Sequence, residues 1–165
     1  MITIVIAVSL TLVVKAYVFT AYSIPSVSMV PTLEVNDRVI VSRLSRDPSR
    51  GDVIVFERPA NDPKTSPGDP DVLIKRVIGL PGDTVTADES GQVLVNNRII
   101  DEPYLAPGTV TAIGAPIEVG DDQLLVMGDN RPASQDGRTF GPISKDLIVG
   151  RALVRFWPFS RMGRL

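Results

Sequence analysis

The sequence predicts a mainly β protein in which antiparallel sheets form a small barrel-like domain behind one N-terminal transmembrane helix. Three observations carry this. Fourteen prolines and thirteen glycines in 165 residues are too many for a helical bundle. Between them lie short runs rich in Val, Ile and Leu, bounded by turn residues, which is the pattern of strands. Ahead of all of them, Ile2 to Tyr22 is apolar apart from small hydroxyl residues and Lys15; as a helix it would span about 30 Å, one bilayer crossing.

The expected elements follow in order. Residues 1–22 are read as the anchor, with Lys15 snorkelling to an interface and Tyr17, Phe19 and Tyr22 as an interfacial aromatic group. Residues 23–165 form one β-rich domain, because the remaining length suits one core and not two. Strands are expected over Asp37 to Leu44, Asp52 to Phe56, Val72 to Leu80, Gln92 to Ile100, Gln123 to Met127 and Ile148 to Trp157. The Asn96-Asn97 pair inside Gln92 to Ile100 reads as a two-residue hairpin turn. Glu57 to Pro70, dense in Pro, Asp and Gly, reads as an exposed excursion. The stretch 84–122 is expected to hold at most a small accessory subdomain.

Composition narrows the chemistry. With 17 basic and 19 acidic residues, the chain lacks the positive excess that would grip a polyanion, so nucleic acid is not an expected partner. It has no cysteine and no histidine. Thiolate nucleophiles, histidine triads and the usual zinc sites are thereby excluded, and hydrolysis would have to run on Ser, Thr, Asp, Glu, Lys, Tyr or water.

Three segments carry chemistry in that restricted alphabet. In Ile24-Pro25-Ser26-Val27-Ser28-Met29-Val30-Pro31 the two prolines disfavour helix, and in an extended chain Ser26 and Ser28 point the same way. One hydroxyl can attack a carbonyl while the other donates to the oxyanion; a serine pair in a turn is the plainer alternative. In Val72 to Leu80, alternation puts Leu73, Lys75 and Val77 on one face and Ile74, Arg76 and Ile78 on the other. A lysine between Leu73 and Val77 is desolvated, which favours the neutral amine that a general base requires; a strand-edge lysine reaching water beside Arg76 is the alternative. In Gly128 to Arg138, Ser134 can aim that amine while Asp136 and Arg138 pair to hold the loop, against a solvated polar turn.

The order of apolar anchor, IPSVSMVPTL, RGDVIVF, VLIKRVIGLPGD and MGDNRPASQDGR resembles the bacterial type I signal peptidase family. The resemblance covers most of the chain outside Glu57 to Pro70 and Thr84 to Asp122. It implies a serine endopeptidase that removes signal peptides from exported preproteins, with Ser28 as nucleophile and Lys75 as general base. It also implies an oxyanion hole from the Ser28 backbone N–H and the Ser26 hydroxyl, with Ser134 orienting the lysine and Asp136 and Arg138 supporting it. Ile24, Leu33 and Ile74 fall where the family lines shallow pockets for small residues one and three before the cut, hence Ala-X-Ala ends. The family further implies a single-pass bacterial plasma-membrane protein with its catalytic domain outside, in contact with lipid and within reach of the export machinery. No metal or other cofactor is implied. Pro132, Ala133 and Gly137 depart from residues frequent in the family's last motif, without touching an implied catalytic role.

Two other readings compete. A Ser/Lys self-cleaving protease of the repressor type would share the fold and dyad, but would carry a DNA-binding leader where this chain has its apolar segment. A membrane-tethered β module that only binds partners would use Ser28 and Lys75 as structural residues.

Overall fold

Strand β1 spans Phe19–Ser23, β2 Arg38–Ser42, β3 Val53–Glu57, β4 Val72–Gly79, β5 Thr84–Ala87, β6 Val93–Val95 and β7 Arg98–Ile99. They are followed by β8 (Ile117–Glu118), β9 (Gln123–Met127), the one-turn helix α1 (Gly137–Phe140), β10 (Ile143–Ser144), β11 (Ile148–Trp157) and β12 (Gly163–Arg164). The computed structural model describes residues 18–44, 47–63 and 70–165. The six expected strands are all present, the fourth as the β6–β7 hairpin. Its turn residues Asn96 and Asn97 take φ of 51° and 62°, the left-handed conformation that Asn tolerates well.

One sheet has the order β1-β2-β11-β3-β4-β9-β10, with β12 added to β11, and all its pairings are antiparallel. A four-stranded sheet, β7-β6-β5-β8, is built from residues within the 84–122 stretch. The large sheet is a half-barrel, not a closed barrel: among the described residues its edges β1 and β10 do not pair. Register shifts in β11, and between Val77 and Gly79 in β4, supply its bends. Gly79 sits where the two sheets meet. A Cβ there would lie 2.9 Å from Val119 Cγ2 and 3.0 Å from both Leu125 Cβ and Val85 Cγ2, so only glycine lets the sheets approach.

The anchor reading needs a correction at its end. Phe19–Ser23 is a strand paired along its length with β2, so a helix cannot extend to Tyr22. Tyr22 packs against a core cluster instead of standing in an interfacial group. The rest of the expected anchor, residues 1–17, lies outside the described residues. Among the described residues no helix is long and apolar enough to cross a membrane.

Alternation along β3 and β4 divides the core. Val53, Val55 and Ile74 join Ile24, Met29, Leu33, Val39 and Val41 in one cluster. Ile54, Phe56, Leu73 and Val77 join Leu124, Val126, Phe140 and Ile148 in another, and Ile78 packs with Val85, Val95, Leu125 and Met127 under the small sheet. Each fully buried Val, Leu or Ile contributes roughly 1.5–3 kcal/mol. These clusters therefore hold β4 from both sides, and β4 carries the residues on which the site depends.

Candidate active site

Ser28 lies in the turn after Pro25, anchored by Met29 and Leu33, both fully buried. The Asn130 N–H donates to Ser28 O at 3.1 Å and Asn130 Nδ2 donates to Val27 O at 3.1 Å, so the 128–138 loop clamps the turn from outside. Lys75 arrives from β4. It pairs across the sheet with Ile54, and the ladder to β9 begins one residue later, at Arg76 opposite Met127. The lysine thus stands where the loop after β9 starts.

The two side chains meet. Lys75 Nζ and Ser28 Oγ are 2.6 Å apart, and Ser26 Oγ lies 3.3 Å from Ser28 Oγ. Only 4% of Lys75 is exposed, and among the described residues no carboxylate lies within ion-pair distance of it. Burial lowers its pKa from the ordinary 10.5 to about 8; the charges of Asp136, Asp129 and Asp62 pull it back up and that of Arg58 pushes it further down.

The loop is held from within by Asp136. Its carboxylate accepts the Gly128 N–H at 2.9 Å, and Arg138 Nε and Nη2 each at 2.9 Å. Burial pushes this carboxyl's pKa up, but the Arg138 bonds and charge, followed by the Gly128 N–H, outweigh it and hold the group ionised below the ordinary range. Ser134 Oγ approaches Asp136 closely enough to favour the carboxylate, yet it is buried without a hydrogen-bond partner. The approach is a polar contact without hydrogen-bond geometry. Ser134 therefore makes no hydrogen bond to Lys75 in this structure. It is nonetheless at the site. A Cβ on Gly128 would fall 2.2 Å from Ser134 Oγ and 2.4 Å from Ser28 O, so both residues press on the same glycine.

Ile24 and Leu33 are core residues, 2% and 0% exposed, with Ile74 packed against the same cluster. None of the three lines the cavity of about 340 Å³ beside the dyad, whose walls are Pro25 to Ser28, Leu73, Lys75, Ala133 and Gln135, together with Arg58, Asp62 and Pro70. A hollow of about 450 Å³ over the small sheet, around Gln92, Ile99 and Pro103, brings no serine and lysine together.

Several site residues escaped the sequence reading. Part of the supposed exposed excursion is buried: Asp62, 5% exposed, pairs with Arg58 and accepts Gln135 Nε2, while Asn61 Nδ2 donates to Phe140 O at 2.7 Å. Residues 64–69 of that stretch lie outside the described residues. Arg76, expected simply on the opposite face, makes a two-point pair with Asp129 at 2.9 and 2.6 Å and donates to Gly51 O at 2.7 Å. An arginine inside an apolar strand was the one signal that a buried acid must exist.

Residues 1–157 match the family model described as signal peptidase, peptidase S26. The chain belongs to the signal peptidase family, peptidase S26. It is 44% identical to the probable signal peptidase I-2 of Synechocystis over 99% of this chain and 74% of that one. It is also 44% identical to the signal peptidase I of Leptolyngbya laminosa, over 99% and 81%. A signal peptidase I crystal structure from Enterococcus faecalis is 28% identical, covering 64% of this chain and 96% of that one with a TM-score of 0.49. As a type I signal peptidase the protein is a peptidase, and its reaction is the removal of signal peptides.

Proposed function

We propose that signal-peptide removal proceeds through a Ser28 nucleophile and a Lys75 general base, acting on exported preproteins. The observation that carries this reading is the 2.6 Å approach of a buried lysine amine to a serine hydroxyl. As an ammonium, Lys75 donates to Ser28; as a neutral amine its lone pair accepts the Ser28 proton across the same distance. With a pKa of about 8, roughly one lysine in ten is neutral at pH 7, against fewer than one in a thousand for an ordinary lysine.

In acylation the Ser28 Oγ–carbonyl bond forms as the hydroxyl proton passes to Lys75 Nζ. The developing oxyanion is met by the Ser28 N–H and the Ser26 hydroxyl. Lys75 then returns the proton to the leaving amine as the C–N bond breaks. Water, deprotonated by the same amine, attacks the ester, and the proton passes to Ser28 Oγ as the signal peptide's new carboxyl end departs.

Small residues one and three before the cut are proposed from the family resemblance alone, because Ile24, Leu33 and Ile74 do not line the cavity beside Ser28 and Lys75. The stretch Ile2 to Val18, 17 residues or about 25 Å as a helix, meets the lower bound for a crossing. We assign it as the anchor of a plasma-membrane enzyme whose domain works outside the cytoplasm. Trp157 and Phe159, 43% and 71% exposed and packed edge to face at 5.0 Å, suit contact with lipid.

The test is cleavage of a signal-peptide substrate ending in Ala-X-Ala by the full chain in detergent, beside folded Ser28→Ala and Lys75→Ala variants. Loss of cutting in both supports the dyad. Full activity in Lys75→Ala would remove the base assignment, and replacing either alanine of the substrate by leucine should block cleavage.

A further inference from the structure

The loop between β7 and β8 reaches back from the small sheet to both buried arginines at the site. Arg131, 1% exposed, donates through Nε to Gly128 O at 3.1 Å and through its two terminal nitrogens to Glu102 and to Thr111 Oγ1. Among the described residues Glu102 is its only ion-pair partner, so the charge of a fully buried guanidinium rests on that one carboxylate. Tyr104 serves both arginines. Its hydroxyl donates to Glu102 at 2.6 Å, and its ring lies under the Arg76 guanidinium with Cζ 3.9 Å from the centroid. Burial, then the Glu102 bond and charge, raise the phenol's pKa, so it remains a donor at every working pH.

We propose that Glu102 and Tyr104 are positioning residues for the Ser28 and Lys75 pair, acting through Arg131 and Arg76 on the peptide that carries Gly128. This rests on the dyad reading above. The Gly128 carbonyl is held by Arg131, its N–H by Asp136, and its Cα is pressed between Ser28 O and Ser134. The next residue, Asp129, is held by Arg76, the immediate neighbour of Lys75. If Tyr104 no longer fixes Glu102, or Glu102 no longer neutralises Arg131, Arg131 releases the Gly128 carbonyl, the peptide can turn, Asn130 slips from Ser28 O, and water reaches Lys75. Such displacements of reacting groups are costly even when small.

The decisive variant is Tyr104→Phe, which keeps the ring on Arg76 and removes only the hydroxyl. It changes no charge facing Lys75, where the charged groups are Asp136, Arg58, Asp129 and Asp62. With an Ala-X-Ala peptide substrate and the full chain in detergent, kcat should fall roughly 10- to 100-fold with KM little changed. The acid limb of the pH profile should move to higher pH as water restores the ammonium. Glu102→Gln should move both in the same direction, and Glu102→Asp, which keeps the charge, should fall between Gln and the parent.

Val95→Ala, in the core under the small sheet, should lower the melting temperature and leave the limb in place. Lower melting temperatures for Tyr104→Phe and Glu102→Gln with unchanged kcat and limb would overturn the proposal. An equal limb shift in Val95→Ala would overturn it too, because general loosening would then suffice. Activity persisting in a parallel Ser28→Ala variant would instead sink the dyad reading, a separate result.

Discussion

Lys75 and Arg76 are neighbours on one strand, 4% and 6% exposed, and the protein treats their charges in opposite ways. Arg76 is surrounded by compensation: Asp129 at two points, Gly51 O, Thr32 Oγ1 at 3.2 Å and the Tyr104 ring. Among the described residues the Lys75 amine makes one hydrogen bond, to a hydroxyl. A buried cation that is fully paired stays charged and ties strands together; one left with a neutral partner gives up its proton more readily. Two faces of β4, one residue apart, thus separate a fully paired cation from the amine that we propose as the base.

Exchanging either residue for methionine breaks the comparison most directly. Lys75→Met should cut turnover on the order of 10⁴-fold or more, as loss of a base in a dyad does, while leaving the fold at least as stable. The sign follows from linkage. The folded pKa of about 8 lies below the ordinary 10.5, so the unfolded chain binds more protons between those values. At pH 7 the folded state carries the whole penalty, about 3 kcal/mol, which disappears as pH rises from 8 to 10.5. Denaturation of the parent should show stability rising through that window, and of Lys75→Met it should not.

Arg76→Met should do the reverse. It strands Asp129, whose side chain is fully buried, and should cost about 3–5 kcal/mol of stability in the same denaturation experiment. An Arg76→Met protein as stable as the parent would mean that the compensation is not needed.

Gly128→Ala tests whether the faces are coupled through the loop. Its new methyl would meet Ser28 O at 2.4 Å, so kcat should drop by about 100-fold while the chain stays folded. Smallest is the pH effect. In the parent, kcat/KM should rise about tenfold per pH unit below 8 and level off above it, as a single base with that pKa requires; a flat profile from pH 6 to 9 would contradict the desolvated amine.

What could be read in the chain follows from how local each signal is. The strands β2, β3, β4, β9 and β11 were legible because apolar runs bounded by turn residues are local, as was the Asn96-Asn97 turn. β5, β8, β10 and β12 were not, being four residues or fewer and set by their partners. β1 was hidden inside an apolar stretch, where composition alone cannot distinguish the end of a helix from an edge strand. Ser28 and Lys75 stood out only with the family resemblance, because composition and alternation left a turn serine and a strand-edge lysine open. Arg58, Asp62, Glu102, Tyr104 and Arg131 did not, since each matters through a partner distant in sequence or in a neighbouring turn.

The sequence by itself therefore determined five of the longer strands and the hairpin and, by holding no histidine and no cysteine, the absence of imidazole and thiol chemistry. Those follow from composition and from the two-residue period of an extended chain. Only the tertiary structure decided that the half-barrel stays open, that Ser134 meets Gly128 without bonding the lysine, and that Arg76 is neutralised while Lys75 is not. The physical reason is that desolvation and charge pairing depend on what surrounds a side chain, and residues 28, 75, 102 and 129 become neighbours only when the chain has folded.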